Sequence, residues 1–189
     1  KSIDATLEVF KETVPPALEA GLRVRAYVST VWGCPYEGPV DLGVVAKIAS
    51  GLVELGCYEV SLGDTIGVGT PRQTRDVVRR ITSEIGLDRV ALHFHDTRGT
   101  ALANALVGLD LGVHKLDASV GGVGGCPYAP GAAGNLATED LVFMLEGMGI
   151  ATGVDLDKLV AAGHVAEQVL GRPLPGKVHQ AGVFKRRPS

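Results

Sequence analysis

Two histidines stand two residues apart in Leu92-His93-Phe94-His95-Asp96. On a β-strand that spacing points both imidazoles from one face. Adjacent imidazoles form part of a cation site, although a pair of hydrogen-bonded core histidines has the same spacing. Other residues with chemical potential fall in Gly-rich stretches: Asp64 in Gly63-Asp64-Thr65-Ile66-Gly67, and Cys126 after Gly121-Gly122-Val123-Gly124-Gly125. Asp64 suits a turn or helix cap, or a ligand for substrate or metal. Asn135 suits a helix N-cap, with Glu139 and Asp140 near the positive end of that helix, yet its amide oxygen is also a ligand for a hard divalent cation. Two imidazoles and an amide leave room for an acidic ligand and water, which fits Mg²⁺ or Mn²⁺ better than a closed thiolate zinc site. An exposed Cys126 beside a cation would be biased toward thiolate and useful in proton transfer.

The elements that must position these groups form a repeating βα series. Strand-like runs cover 23–30, 58–63, 89–95 and 115–120, with starts 35, 31 and 26 residues apart, the length of one βα unit each. Helical spacing covers 42–55, 70–85, 100–111, 136–148 and 156–170, and an opening helix at 3–14 is expected to end or kink at Pro15-Pro16. Within the runs, apolar Val24, Ala26, Val28, Val60, Leu62, Leu92 and Phe94 alternate with polar Arg25, Tyr27, Ser29, Glu59, Ser61, His93 and His95. Lys115, Asp117 and Ser119 continue the polar set in the fourth run. A doubly wound sheet needs both faces apolar, whereas a barrel can take a polar lining, so the pattern predicts a (β/α)8 barrel over a flavodoxin-like sheet. The unusual residues then sit at the carboxyl ends of successive strands, the working end of such a barrel.

The 189 residues, 46% hydrophobic with a formal charge of −3, supply one sizeable core and no electrostatic case for nucleic acid or an anionic membrane. No apolar run is long enough to span a bilayer. Cys34, Cys57 and Cys126 are too few for a disulfide framework and fit a reducing compartment. Cys34 reads as structural, and Cys57, His114 and His164 as core residues. Four strands cannot close a barrel, and Lys1 is not a methionine start. The expectation is therefore an incomplete barrel domain over 1–189, lacking N-terminal strands, with open edges, an unpaired polar lining and a tendency to associate.

Several runs carry a family resemblance: Gly-Cys-Pro-Tyr-Glu-Gly at 33–38, Ser-Leu-Gly-Asp-Thr-Ile-Gly-Val-Gly-Thr-Pro at 61–71, His-Phe-His-Asp-Thr at 93–97, Gly-Gly-Cys-Pro-Tyr-Ala at 124–129 and Gly-Asn-Leu-Ala-Thr-Glu-Asp-Leu at 134–141. From about residue 2 to 180 the chain resembles the 3-hydroxy-3-methylglutaryl-CoA lyases of the HMGL-like, pyruvate carboxyltransferase-domain family. The resemblance implies a divalent-cation-dependent (Mg²⁺ or Mn²⁺) retro-Claisen cleavage of 3-hydroxy-3-methylglutaryl-CoA to acetyl-CoA and acetoacetate, in leucine degradation and ketone-body formation. It implies that His93, His95 and Asn135 ligate the metal and that His93 also helps move the proton. Cys126 would act in acid/base chemistry, Asp64 and Glu139 would be polar active-site residues, and Tyr27 and Ser61 would line the cavity. A homodimer is implied for the full-length form, located in the cytoplasm of a bacterium or the mitochondrial matrix of a eukaryote. The family's Arg-Asp-Gly strand, which supplies an anionic ligand and an arginine, does not occur in these 189 residues, so little turnover is expected from them alone. Two other readings stay open: a condensing relative of the isopropylmalate, citramalate or homocitrate synthase type, against which Cys126 in its loop argues, and a non-catalytic metal-binding fragment.

Overall fold

The computed structural model describes residues 2–125 and 134–184, so Cys126 lies outside the described residues. Strands β1 (Arg25–Val28), β2 (Glu59–Asp64), β3 (Val90–Phe94) and β4 (Leu116–Asp117) form one sheet. All three pairings are parallel, in the order β1-β2-β3-β4. Sequence neighbours are sheet neighbours throughout, and the reversal of strand order that marks a doubly wound sheet does not occur among the described residues. Helices α2 (Leu42–Glu54), α3 (Pro71–Ile85) and α4 (Ala101–Asp110) follow the first three strands and pack on one another in series. The architecture is the α/β barrel type that the alternation predicts.

Local chemistry sets the helix ends. The Asp41 carboxylate accepts the Val44 N–H at 3.0 Å to start α2, and Thr70 and Gln73 cap α3 reciprocally with Pro71 in its first turn. Helix α6 (Leu156–Leu170) begins at Asp155, which accepts the Lys158 N–H at 3.1 Å, and stops at Gly171 in the left-handed region.

Three expectations need correction. The opening helix, α1 (Ile3–Glu19), runs through Pro15 and Pro16. The prolines remove only two amide donors near its end, while Val14 and Leu18 pack on the core on either side of them. The fourth strand is two residues long because Ser119 pairs with Ala137 and the chain then turns at Gly121 and Gly122, both with positive φ. The helix expected from residue 136, α5 (Thr138–Gly147), starts two residues later with Ala137 as its cap, because residues 135 and 137 are used as strand-like bridges. A short helix not anticipated from sequence, α7 (Lys177–Ala181), follows α6, with its Lys177 and Val178 N–H groups donating to the Asp140 carboxylate at 3.0 and 2.6 Å.

The core lies between the apolar strand face and the helices, and Val60, Leu62, Leu92 and Phe94 are fully buried with Ala49, Leu52 and Ile81. Cys57 is buried as expected, but His114 and His164 are exposed, because their positions face outward from the turn after α4 and from α6. Leu92 reaches α4 so closely that a Cβ on Gly108 would stand 2.3 Å from its Cδ1. Leu92→Ala is therefore expected to lower unfolding free energy by about 2–5 kcal/mol, read from urea denaturation; a loss under about 1 kcal/mol would show that β3 and α4 are not close-packed there.

Candidate active site

The polar strand face is internally paired, which corrects the expectation of an unpaired lining. Arg25 Nε donates to Glu59 Oε1 at 2.5 Å, and its Nη1 lies 2.9 Å from Asp117 Oδ1. Lys115 Nζ approaches Glu59 Oε2 at 2.6 Å, and Ser61 Oγ donates to Asp117 Oδ2 at 2.8 Å. Tyr27 is half exposed, its hydroxyl accepts from Arg25, and its ring meets His93 edge-on with centroids 6.4 Å apart. Burial works against the Arg25 charge, but hydrogen bonds and attraction from Asp117 and Glu59 outweigh it and raise its pKa. Burial also pushes Glu59 upward, yet Lys115 and Arg25 hold its carboxyl below the ordinary value.

Above this network, at the carboxyl end of β3, stand His93 and His95 with ring centroids 5.2 Å apart. His93 Nδ1 is 3.8 Å from Asp117 Oδ2 and makes no hydrogen bond, and the buried His95 Nδ1 also has no partner. Burial is the largest influence on both rings and lowers their pKa values. Both imidazoles are therefore neutral near pH 7 with lone pairs available.

Asn135 arrives beside them through backbone pairing. Residues 134–137 lie between β3 and Ser119: Asp96 N–H donates to Gly134 O at 3.1 Å, Leu136 N–H to Phe94 O at 3.0 Å and Ser119 N–H to Leu136 O at 3.0 Å. Asn135 forms an antiparallel bridge with His95, so it is not the helix N-cap that its place before an apolar run implied. Its Nδ2 donates to Val123 O at 2.9 Å, while its buried Oδ1 has no partner. Gly124, at φ +119°, leaves space for this amide; a Cβ there would stand 2.3 Å from Nδ2.

The structure gives Asp64 and Glu139 backbone partners. Asp64 is buried, with Oδ1 accepting from Val68 N–H and Oδ2 from Gly69 N–H, each at 2.9 Å, and desolvation raises its pKa. Glu139 is fully buried and takes the Gly121 N–H on both oxygens at 2.9 and 2.7 Å. The two carboxylates shape the loops after β2 and β4. Asp117 and Arg25 were not singled out from sequence; their signal was their place on the polar strand face.

Three buried polar atoms without partners, Nδ1 of His93, Nδ1 of His95 and Oδ1 of Asn135, belong to two imidazoles and an amide, side chains that suit a divalent cation. Parallel strands in sequential order with such groups at their carboxyl ends define an α/β protein of the (β/α) barrel class. The HMGL-like family model matches residues 1–166, and the chain belongs to that family. A hydroxymethylglutaryl-CoA lyase from Bos taurus, named as mitochondrial, is 53% identical over 180 residues, 95% of this chain and 55% of its own length. A Danio rerio relative named as cytoplasmic is 51% identical over the same length, 95% of this chain and 54% of its own. The solved lyase of Pseudomonas aeruginosa superposes with TM-score 0.92 at 49% identity, over 96% of this chain and 60% of that one. That of Acinetobacter baumannii, in complex with coenzyme A and 3-methylmalate, gives TM-score 0.92 at 35% identity, over 100% and 62%. The chain thus spans a little over half the length of the relatives it matches. Among the described residues no helix is long and apolar enough to cross a membrane.

Glu59→Gln tests the lining network. Removing one carboxylate strands parts of two cations, at an expected cost of about 2–3 kcal/mol at pH 7, discounted for the exposure of Lys115. Because the folded carboxyl titrates below its ordinary value of 4.5, its contribution is full above that pH and fades as pH falls through the lower folded value. Urea titrations at pH 7 and pH 3 are expected to show the two proteins converging in acid; a constant gap would place the effect outside the ion pairs.

Proposed function

We propose that the protein is a 3-hydroxy-3-methylglutaryl-CoA lyase, with His93, His95 and Asn135 holding Mg²⁺ or Mn²⁺. The carrying observation is that the three side chains this role needs stand together at the end of β3 and in the segment paired to it, each with a buried polar atom left without a partner. The cation, when bound, supplies Lewis acidity toward the substrate's hydroxyl and carboxyl oxygens. His93, next to Asp117, would hold the cation beside the tertiary hydroxyl and so help its proton leave to solvent, since the one lone pair of a neutral imidazole is used in ligation. The carbon–carbon bond then breaks, the oxygen becomes the ketone of acetoacetate, and the carbanion of acetyl-CoA is protonated with Cys126 as the acid. Tyr27 and Ser61 line the cavity, the latter by fixing Asp117. Asp64 and Glu139 act as polar residues of the site through the loops they hold.

The coenzyme A seen with the Acinetobacter baumannii enzyme supports an acyl-CoA substrate here. The resemblance carries the remaining assignments: a homodimer of the full-length form, and a compartment that follows the source, cytoplasmic in a bacterium and mitochondrial matrix in a eukaryote.

The test is acetoacetate release from 3-hydroxy-3-methylglutaryl-CoA with Mg²⁺ or Mn²⁺, for these 189 residues and for a chain extended upstream by a strand bearing Arg-Asp-Gly. Turnover is expected in the extended chain and little in the shorter one. Cys126→Ala is expected to lower kcat by about 10²–10⁴, and Asn135→Ala to weaken cation binding. Condensation of acetyl-CoA with a 2-oxo acid, and no cleavage, would favour a synthase instead.

A further inference from the structure

Behind the turn that follows β4, α6 and α7 bring together His164, Glu167 and His179, whose ligand atoms all lie within 4.8 Å of one another. His164 and Glu167 are three residues apart and share a face of α6. His164 Nδ1 is 3.6 Å from Glu167 Oε2, and His179 Nε2 is 3.2 Å from the same oxygen. Ligands bound at about 2.0–2.1 Å in a tetrahedral shell are separated by roughly 3.3–3.4 Å, so both separations are close to edges of such a shell. We propose that His164, Glu167 and His179 form a second metal site, selective for Zn²⁺ or a similar borderline divalent ion, that ties α7 to α6.

Three observations support a ligand there rather than a surface ion pair. The His179 side chain is 1% exposed, and neither of its ring nitrogens makes a hydrogen bond, the approach to Glu167 being poorly angled. Glu167 is oriented by its other oxygen: Oε1 accepts the Leu174 N–H at 2.8 Å, which leaves Oε2 toward both imidazoles, as an outer partner orients a metal ligand. Finally, the His179 ring lies against the backbone of α6 at Gly163, where a Cβ would stand 2.5 Å from Nδ1. Two imidazoles and one carboxylate leave a fourth tetrahedral position for water, a set that prefers Zn²⁺ to the harder Mg²⁺.

Bound metal would make α7 a fixed point of the fold. The N-terminus of α7 is already held by Asp140, and Asp140 adjoins Glu139, which holds Gly121. The site would therefore brace the loop after β4 from behind without touching substrate.

Metal-stripped intact protein is titrated with Zn²⁺ and, in parallel, with Co²⁺, whose visible absorption reports tetrahedral coordination. The wild type is expected to bind one more equivalent of Zn²⁺ than His164→Ala, to show a tetrahedral Co²⁺ band that the variant loses, and to retain the extra ion in millimolar Mg²⁺. At this site affinity should fall at least about tenfold in the variant. His164 is 57% exposed, so the substitution is not expected to disturb folding, which far-UV circular dichroism checks. Glu167→Gln, which keeps an acceptor for Leu174, should lose the same equivalent. Equal zinc stoichiometry and equal Co²⁺ spectra in wild type and both variants would overturn the proposal.

Discussion

The Arg25 guanidinium is the constraint on which the polar interior turns. It lies between Glu59 and Asp117, and a cation in that half-buried place persists only because two carboxylates offset its desolvation. The arrangement ties three of the four strands together from inside, since Glu59 is on β2 and Asp117 on β4. Lys115 then balances the second oxygen of Glu59, and Ser61 takes one oxygen of Asp117. With its charge largely engaged by Arg25, Asp117 still faces His93 but does not bond it. Burial, the largest influence on His93, lowers its pKa despite Asp117, which favours the neutral ring that a metal ligand needs.

A second dependency is backbone pairing beyond the regular strands. The segment 134–137 has no strand pattern of its own and runs directly into α5. It is held by single bridges, Asn135 to His95 and Ala137 to Ser119. These bridges carry an amide from far along the chain to the end of β3 and place its oxygen where no protein donor reaches. Gly124 and Val123 complete the seat, one by lacking a side chain and the other by accepting from Nδ2. Glu139, on the helix that follows, ties the same loop at Gly121. The two acidic groups beside the site differ in this respect from the imidazoles: their oxygens already accept from amides, so they set loop shape.

Much of this was legible in the sequence because it followed local rules. Alternation of apolar and polar residues identified all four strands and the polar lining, and α6 matched its expected bounds because Asp155 and Gly171 are strong end signals. The His93 and His95 pair was visible from spacing alone. What escaped depended on contacts between distant residues. Asn135 reads from its neighbours as a cap or a cation ligand, and the bridge to His95 that sets it beside the histidines has no local signal. Pro15 and Pro16 read as a stop, and tertiary packing of Val14 and Leu18 overrides them. The histidines reversed in the same way: His164, taken as core, is exposed, whereas His179, in a five-residue helix with little pattern to find, is among the most buried side chains.

The placement of charge distinguishes the two imidazole pairs. At the sheet, His93 and His95 are accompanied by an amide oxygen, and the nearest carboxylate is paired with Arg25. That set is poor in anionic charge, and a hard cation there needs further oxygen ligands from substrate, water or another acidic group. At α6 and α7 the imidazoles share one carboxylate oxygen, at separations of 3.6 and 3.2 Å that are close to edges of a small tetrahedral shell. Hardness and geometry separate the two sites before any ion binds. An open position at the sheet is what chemistry on a substrate's oxygens would require, whereas at α6 and α7 three protein ligands, with water as the fourth, would tie two helices together.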